Sequence, residues 1–231
     1  MAREKAPTQA PATKRRPGRP RADETGSSST RDVILEVALR EFAQNGFDGV
    51  SITEIARRSE VAKALVHYHF NNKENLWKAA VNYAFREMRA KFEDIPLELQ
   101  DLDPVSFLKV FIRRYVYFVA RRPELGRIII AEAPRGTSRS RWLVQRHLKP
   151  MHRAVEVMHR KMWPRGPFKK LPFLNFLSTI TGAVSIYFLD AMVLGEHYDI
   201  DPVDPATIEQ HADIVVEIML NGLLDPKKKK A

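Results

Sequence analysis

The 231-residue chain contains no cysteine, and this absence excludes a disulfide-stapled fold, a thiolate metal site and a cysteine nucleophile. Its first 21 residues lack the apolar core that a secretory signal peptide requires. The sequence also lacks a glycine-rich phosphate loop, a nucleophile elbow and a zinc-protease motif. We therefore expect a cytoplasmic protein that is not an enzyme and that binds neither a metal nor a cofactor.

Positive charge is concentrated at the two ends of the chain. The whole chain carries 38 Lys+Arg against 28 Asp+Glu, a net charge of +10. The net charge is +5 over residues 1–31 and +3 over residues 225–231, so that the net charge of residues 32–224 is only +2. A basic arm on a nearly neutral globule indicates a polyanionic partner, either a nucleic acid or an acidic membrane surface.

The N-terminal arm, residues 1–29, is rich in Pro, Ala, Ser and basic side chains and has no apolar periodicity. This composition predicts disorder, and the lysine-rich residues 225–231 form a second basic tail. Residues 15–21 of the arm read RRPGRPR and resemble an AT-hook core, which would place Arg16, Arg19 and Arg21 in a narrow A·T minor groove. A merely solubilising basic arm would have the same composition, and both interpretations stay open.

From Thr30 onwards, apolar residues recur at helical spacing, with no alternating strand pattern and no internal repeat. The fold class is therefore all-α. A three-helix helix-turn-helix domain is predicted at residues 30–78, followed at 79–224 by a larger helical domain. The spacing and the helix-start residues predict helices at 30–45, 51–58, 62–69, 71–92, 104–122, 124–132, 138–163 with an interruption at Pro150, 171–194 and 205–223.

Residues 171–189 contain no charged side chain, and their length is close to the roughly 18 residues of a membrane-spanning helix. The same segment contains several polar residues and Pro172, and no second span accompanies it. A helix buried in a protein core or in a dimer interface has the same pattern. We interpret the segment as a buried helix and expect no membrane partner.

The most informative segment is 51–78, SITEIARRSEVAKALVHYHFNNKENLWK. Two short helices joined by a tight turn need a third helix behind them, and residues 30–45 supply it. Ser51 and Glu54 have the spacing of a capping box at the start of the first short helix. A small core is predicted to form from Ile52, Ile55, Ala56, Val61, Val66 and Phe70.

The remaining side chains of the second short helix are then left on its outer face, where they can enter a major groove. These residues are Lys63, Ala64, Leu65, His67 and Tyr68. Ser51 and Thr53, at the start of the first short helix, are expected to contact a phosphate oxygen. Lys73, at the start of the next helix, is expected to hold the DNA backbone. The sequence thus predicts double-stranded DNA as a partner.

This segment resembles the DNA-binding domain of the tetracycline-repressor (TetR) family of bacterial regulators. The resembling residues are RDVIL at 31–35, FAQNGF at 42–47, Ile55-Ala56, Val61 and YHFNNKENL at 68–76. The resemblance implies a transcriptional regulator, with repression of a palindromic operator by a homodimer as the expected activity. An activator or an architectural DNA-binding protein is the alternative.

Three positions depart from the usual pattern of the family. Glu60 replaces a turn glycine, so that it must adopt a conformation that glycine takes easily. Ala62 replaces a hydroxyl residue that caps the recognition helix, and His67 replaces a tyrosine that often touches phosphate. Residues 32–78 also carry a net charge of −1, from six basic and seven acidic residues. The basic arm would compensate for this weak attraction to DNA.

The resemblance further implies that the C-terminal helices bind a small-molecule effector and that the helices at 171–194 and 205–223 pair two subunits. The apolar residues expected at this interface are Phe176, Ile180, Val184, Tyr187, Ile214, Ile218 and Leu220. The chemical identity of the effector does not follow from the sequence. Candidate lining residues are Phe111, Tyr115, Phe118, Trp142, Phe173 and Tyr187, with Arg113, Glu132 and His147 as polar anchors. Plain core packing would place aromatic residues at the same spacing.

A helical metalloenzyme is the main alternative from another functional class. His152, Glu156 and His159 share one helix face, and Glu156 and His159 have the Glu-x-x-His spacing of di-iron bundles. Such a bundle needs a second copy of this motif and two further glutamates, and the sequence contains one copy only. We interpret this face as a polar surface without a metal.

Overall fold

A computed structural model describes residues 29–92 and 101–228, and all helices and turns discussed below lie in these two ranges. Their regular structure is helical, which confirms the all-α prediction, with one isolated bridge between Phe168 and Leu224. The α-helices are α1 (Thr30–Asn45), α2 (Ile52–Arg58), α3 (Lys63–Phe70), α4 (Lys73–Phe92), α5 (Pro104–Arg121), α6 (Pro123–Glu132), α7 (Ser138–Leu143), α8 (Lys149–Met162), α9 (Phe173–Leu189), α10 (Ala191–Tyr198) and α11 (Pro205–Leu223).

The first three helices form around a small apolar core that α4 closes. Side-chain caps start two of them, because the Ser29 hydroxyl accepts from the Asp32 amide and the Ser51 hydroxyl from the Glu54 amide. The buried face of α4 includes Leu76, Trp77, Ala80, Val81, Ala84 and Phe85, and this face packs mainly against α1. The long helix α4 therefore belongs to the core of the N-terminal domain for most of its length.

The second half of the chain is built around α5. Asp103 caps this helix and Pro104 occupies its first turn, as the sequence predicts. The buried residues of α5 pack against α11 and α9, while α6 contacts α1. The contact between α6 and α1 joins the two halves of the chain.

Two helix predictions need correction. The helix at 138–163 does not simply kink at Pro150: residues 144–148 form a π-helical turn between α7 and α8. Since Pro150 has no amide hydrogen to donate, the backbone rearranges in the turn before it. The predicted helix at 171–194 is in fact two helices, α9 and α10, which meet at Asp190 with a bend of 53°.

Within the described ranges, no single helix is both long enough and apolar enough to cross a membrane. The bent pair α9 and α10 satisfies the length and composition criteria only when the two helices are taken together. One face of α9 is buried inside the protein, through Phe176, Ile180, Val184 and Phe188. The predicted arm contacts of Arg16, Arg19 and Arg21 lie outside the described residues, as do residues 93–100 and 229–231.

Candidate nucleic-acid interface

The helices α2 and α3 form a two-helix unit with a tight turn between them. Ile55 and Ala56 of α2 and Val66 and Phe70 of α3 are buried, as predicted. Glu60 in the turn has a φ of 55°, the conformation that a glycine would take without strain. Ala62 precedes α3 and makes no side-chain cap, so both departures of this turn from the family pattern have the expected structural consequence.

Because Glu60 adopts a left-handed conformation, replacing it with glycine should stabilise the protein. We expect Glu60→Gly to raise the free energy of unfolding by about 1 kcal/mol, since a non-glycine residue in this region costs roughly 1–2 kcal/mol. Urea denaturation measures this difference. Glu60→Ala is the control, because it removes the exposed carboxylate and keeps a side chain at the strained position. Equal stability of the Gly and Ala variants would contradict the prediction.

One face of α3 is free of intramolecular contacts with the rest of the core. Lys63, Ala64, His67 and Tyr68 are exposed, and Tyr68 is 80% exposed. Leu65 is half-buried, so only part of its side chain can reach a thymine methyl group. These side chains are therefore accessible to a partner such as DNA.

His67 has a fixed ring orientation. Its Nδ1 lies 3.1 Å from the Asn71 carbonyl oxygen, so that this nitrogen donates a hydrogen bond at the end of α3. In the neutral ring, Nε2 is then left as an acceptor on the exposed side. An acceptor here matches the amino group that adenine or cytosine presents in the major groove.

The start of α2 keeps only half of the predicted capping box. Ser51 accepts from the Glu54 amide at 3.1 Å, and its own hydroxyl hydrogen remains available to a phosphate. The capping box also predicts that the Glu54 carboxylate accepts a hydrogen bond from the Ser51 amide. This prediction is wrong, because the Glu54 carboxylate binds Arg57 and Arg58 instead. These bonds, Arg57 first, lower the pKa of Glu54 to about 2. Thr53 is exposed beside Ser51.

Lys73 is less accessible than the sequence suggests. Its ammonium group donates to the Asp48 carbonyl oxygen at 3.4 Å and lies 4.5 Å from the centre of the Phe47 ring. The side chain is half-buried. Lys73 thus fixes the loop between α1 and α2 and can contribute positive charge near the backbone of a bound duplex.

Sequence reasoning missed a set of contacts that tie this loop to the second half of the chain. The guanidinium group of Arg139, on α7, lies 3.7 Å from the centre of the Phe47 ring in this loop. Arg135 forms an ion pair with Asp48 at 3.1 Å. Since these partners are far apart in sequence, no local pattern indicates the contact.

The predicted effector residues do not line one cavity. Phe111, Tyr115 and Phe118 of α5 surround Phe92, the last residue of α4, with ring centres 5.8–6.4 Å away. The Tyr115 hydroxyl lies 3.3 Å from the Ser185 hydroxyl. This aromatic cluster (Phe92, Phe111, Tyr115 and Phe118) joins the end of α4 to α5.

Two of the other predicted effector residues lie together: the ring centres of Trp142 and His147 are 5.1 Å apart, with Trp142 packed on Trp77 and His147 stacked on Phe85 at 4.2 Å. Phe173 lies near His159, and Tyr187 stacks on His211. The Glu132 carboxylate accepts from the Thr137 hydroxyl at 2.6 Å, and Arg113 binds Glu209 and Asp213. These polar groups are engaged within the protein.

The metalloenzyme alternative gains no support from the geometry. Glu156 binds Arg160 at 2.6 Å, and His159 stacks on Trp163 at 4.3 Å. His159 therefore belongs to an aromatic cluster rather than to the predicted polar surface. Over residues 29–92 and 101–228, no group of three or more His, Asp or Glu side chains could hold a metal ion.

Comparison with known proteins follows the same division of the chain. Residues 34–80 match the family model described as bacterial regulatory proteins of the tetR family. Residues 101–229 match the model of a tetracyclin repressor-like C-terminal domain. The two matches together cover the helix-turn-helix unit and the helices from α5 to α11.

Curated relatives are also regulators. The biofilm operon regulator IcaR of Staphylococcus epidermidis is 27% identical over 93 residues, which are 40% of this chain and 48% of IcaR. The chain thus spans about half the length of IcaR. The probable regulator YttP of Bacillus subtilis is 20% identical over 177 residues, 77% of this chain and 86% of YttP.

Solved structures share the fold. The hemolysin II regulator HlyIIR has a TM-score of 0.61 at 19% identity, over 85% of this chain and 97% of that one. AibR, solved with isovaleryl coenzyme A and operator DNA, has a TM-score of 0.63 at 24% identity, over 82% and 97%. With both halves of the chain matched, the protein belongs to the TetR family of bacterial regulatory proteins.

Proposed function

We propose that this protein is a sequence-specific transcriptional repressor that binds a palindromic operator as a homodimer and releases it when a small molecule binds. The observation that carries the proposal is the exposed face of α3, formed by Lys63, Ala64, His67 and Tyr68. A helix of this kind fits the major groove, where each base pair has a distinct donor and acceptor pattern. Its site of action is then the cytoplasm, where the operator lies.

The two C-terminal helices supply a surface for the partner subunit. On α9, Leu174, Ser178, Gly182 and Ile186 follow one another at intervals of four, and all are exposed. On α11, the exposed residues with this spacing are Ile214, Ile218 and Gly222. Both stripes combine large apolar side chains with small residues, which allows close approach of helices from two subunits.

The interface differs in its residues from the one that the sequence suggested. Among the apolar residues expected there, Phe176, Ile180, Val184 and Leu220 are buried within their own chain, against the core that includes α5. Tyr187 is half-buried against His211. Apolar residues at helical spacing identify the face of each helix that is buried within its own chain. Of the apolar residues expected at the interface, only Ile214 and Ile218 remain exposed for a partner.

Effector binding is proposed to act through the two connections between the halves of the chain. The first is the aromatic cluster at the end of α4, where an apolar effector with one hydrogen-bonding group would displace Phe92 and meet Tyr115. The second is the contact of Arg139 with Phe47, next to Lys73. A shift of either connection changes the separation of the two α3 helices on DNA. AibR, which has the same fold, has been solved in complex with both isovaleryl coenzyme A and operator DNA.

Arg139 also neutralises a buried carboxylate, which makes this connection testable. Its guanidinium lies 3.5 Å from the Glu132 carboxylate, and the Glu132 side chain is 6% exposed. We expect Arg139→Ala to lower the free energy of unfolding by about 2–3 kcal/mol, because it removes a cation–π contact and leaves a buried charge unpaired. Urea denaturation of the purified protein measures the loss.

The double variant Arg139→Ala/Glu132→Gln separates these two causes. The glutamine oxygen can still accept from Thr137 and Ser140, so the variant should recover at least about 1 kcal/mol relative to Arg139→Ala. Glu156→Gln/Arg160→Ala is a control at an exposed ion pair, where we expect less than about 1 kcal/mol. Additive losses for Glu132 and Arg139 would show that the ion pair does not stabilise the connection.

Selection of bound fragments from random duplex DNA with the full-length protein tests the proposed function. We expect recovery of a palindromic consensus with two half-sites about one helical turn apart. Recovery of A·T-rich DNA without a palindrome would show that the N-terminal arm dominates binding and would overturn the proposal of a dimeric operator-binding repressor. The chain 30–231, selected in parallel, should recover the same palindrome with weaker binding.

A further inference from the structure

A surface depression of about 240 Å³ lies where α1, α4 and the π-helical turn meet. Its polar lining consists of Arg31 of α1, Asn82, Tyr83, Arg86 and Arg89 of α4, and Arg146 of the π-helical turn. The α4 residues recur at intervals of three and four, so that they share one face of the helix. We call Arg31, Arg86, Arg89 and Arg146 the arginine cluster.

In the part of the chain that the structure describes, no acidic side chain neutralises the arginine cluster. Among residues 29–92 and 101–228, no carboxylate forms an ion pair with any of its four members. The nearby acidic groups have other partners: Glu36 and Glu87 bind Arg122, and Asp32 accepts from Ser29. Four like charges around one depression repel each other, and an anion placed among them relieves this repulsion.

The side chains are suited to phosphate. A guanidinium group offers paired N–H donors that match two oxygens of a phosphate group. Two of the arginines make cation–π contacts with aromatic rings. The Arg86 guanidinium lies 5.2 Å from the centre of the Tyr83 ring, and the Arg31 guanidinium lies 5.4 Å from the centre of the Phe70 ring. Asn82 adds an amide donor. Four positive charges exceed what a single carboxylate ligand would balance.

We propose that the arginine cluster binds the diphosphate group of a small molecule. Because the depression lies at the surface, a group attached to the diphosphate can extend into solvent. His147 lies behind the cluster in the core, 3% exposed, and responds to its charge. Burial first, and then Arg89 and Arg146, lower the pKa of His147 to about 4.

The arginine cluster lies between the DNA-binding domain and the second half of the chain, so that a bound anion would connect the two. Arg31 belongs to the DNA-binding domain, and Arg146 to the helices that follow α7. An anion that contacts both holds α1 against the second half of the chain and favours one arrangement of the two. The effect on operator affinity rests on the proposed function, whereas the binding of a diphosphate does not.

Isothermal titration calorimetry with inorganic pyrophosphate and with ADP tests the proposal on the full-length protein without DNA, at ionic strength held constant with sodium chloride. We expect one site per chain. Arg89→Gln/Arg146→Gln should weaken both ligands at least about tenfold, since each lost charge-assisted hydrogen bond is strong. Arg31→Gln, on a different helix, should weaken them as well. The control Arg153→Gln/Arg165→Gln removes the same charge at exposed positions outside the cluster and should bind as the parent protein does.

A second readout is the titration of His147 by NMR. Bound pyrophosphate should raise its pKa, because the anion offsets the arginine charges that lower it. Tighter binding of ADP than of pyrophosphate would show that the nucleoside contributes, and equal binding would show that the diphosphate alone is recognised; either result supports the proposal.

Three results would overturn it: no binding of either ligand, equal weakening in the control, or loss of operator affinity in Arg89→Gln/Arg146→Gln without any pyrophosphate binding by the parent. The last result would assign the arginines to DNA phosphates. Because the calorimetry contains no DNA, a failed operator selection and a failed diphosphate titration remain separate outcomes.

Discussion

Replacing Lys63 and Tyr68 together with alanine is expected to lower affinity for the selected operator at least about 30-fold. Both side chains lie on the exposed face of α3 and neither contributes to the core, so the variant should fold normally. A contact that discriminates a base is worth roughly 1–3 kcal/mol, and two such losses add if the positions act independently. Fluorescence anisotropy with a labelled operator measures the affinity.

The matched control for this prediction is Lys161→Ala/Tyr198→Ala. It makes the same two changes at exposed positions of α8 and α10 and should leave operator affinity within about twofold. Random-sequence DNA of equal length separates base recognition from general attraction. If the α3 variant loses affinity for operator and for random DNA by the same factor, Lys63 and Tyr68 contact only the backbone, and the proposed base recognition by these two residues is wrong.

Introducing Ile214→Asp and Ile218→Asp should convert the protein into a monomer. Each isoleucine is exposed on α11 in the isolated chain, at 46% and 64%, and each would be buried twice in a two-fold dimer. Burial of an isoleucine side chain is worth roughly 1.5–3 kcal/mol, so we expect dimerisation to weaken at least about 1000-fold. Sedimentation velocity gives the oligomeric state directly.

Operator binding should fall with dimerisation, because one subunit contacts only one half-site. The control Ile130→Asp/Val157→Asp places the same charges on exposed apolar positions of α6 and α8 and should remain dimeric. Circular dichroism and urea denaturation establish that both variants are folded. A variant at Ile214 and Ile218 that stays dimeric would place the interface elsewhere on the protein.

The fold could be predicted where short sequence patterns determine local structure. The Asp-Pro pairs before α5 and α11 supply an N-cap and a first-turn proline, and both helices start where these pairs predict. The break at Asp190 could not be predicted, because no proline or glycine marks it and the apolar pattern continues through it. Pro150 predicts an interruption of its helix, but the missing amide hydrogen does not by itself determine that the interruption is a π-helical turn at residues 144–148.

The exposed face of α3 could be predicted because it depends on local sequence. Once Val66 and Phe70 point inwards, the spacing of one helix determines which neighbours point outwards. The neighbours of the predicted effector residues could not be predicted, because they come from distant segments. For example, Phe92 at the end of α4 contacts three aromatic residues of α5. For the same reason, no pattern in the sequence indicates that Arg139 contacts Phe47 or that Arg31 and Arg146 line the same depression.

Hydroxyl-radical footprinting of the wild-type protein on its selected duplex tests most directly whether two α3 helices bind a symmetric operator. We predict two protected segments, related by the dyad of the palindrome and about one helical turn apart, with protection lost in the α3 variant Lys63→Ala/Tyr68→Ala. A single asymmetric footprint, or protection confined to an A·T tract that persists in that variant, would contradict the account.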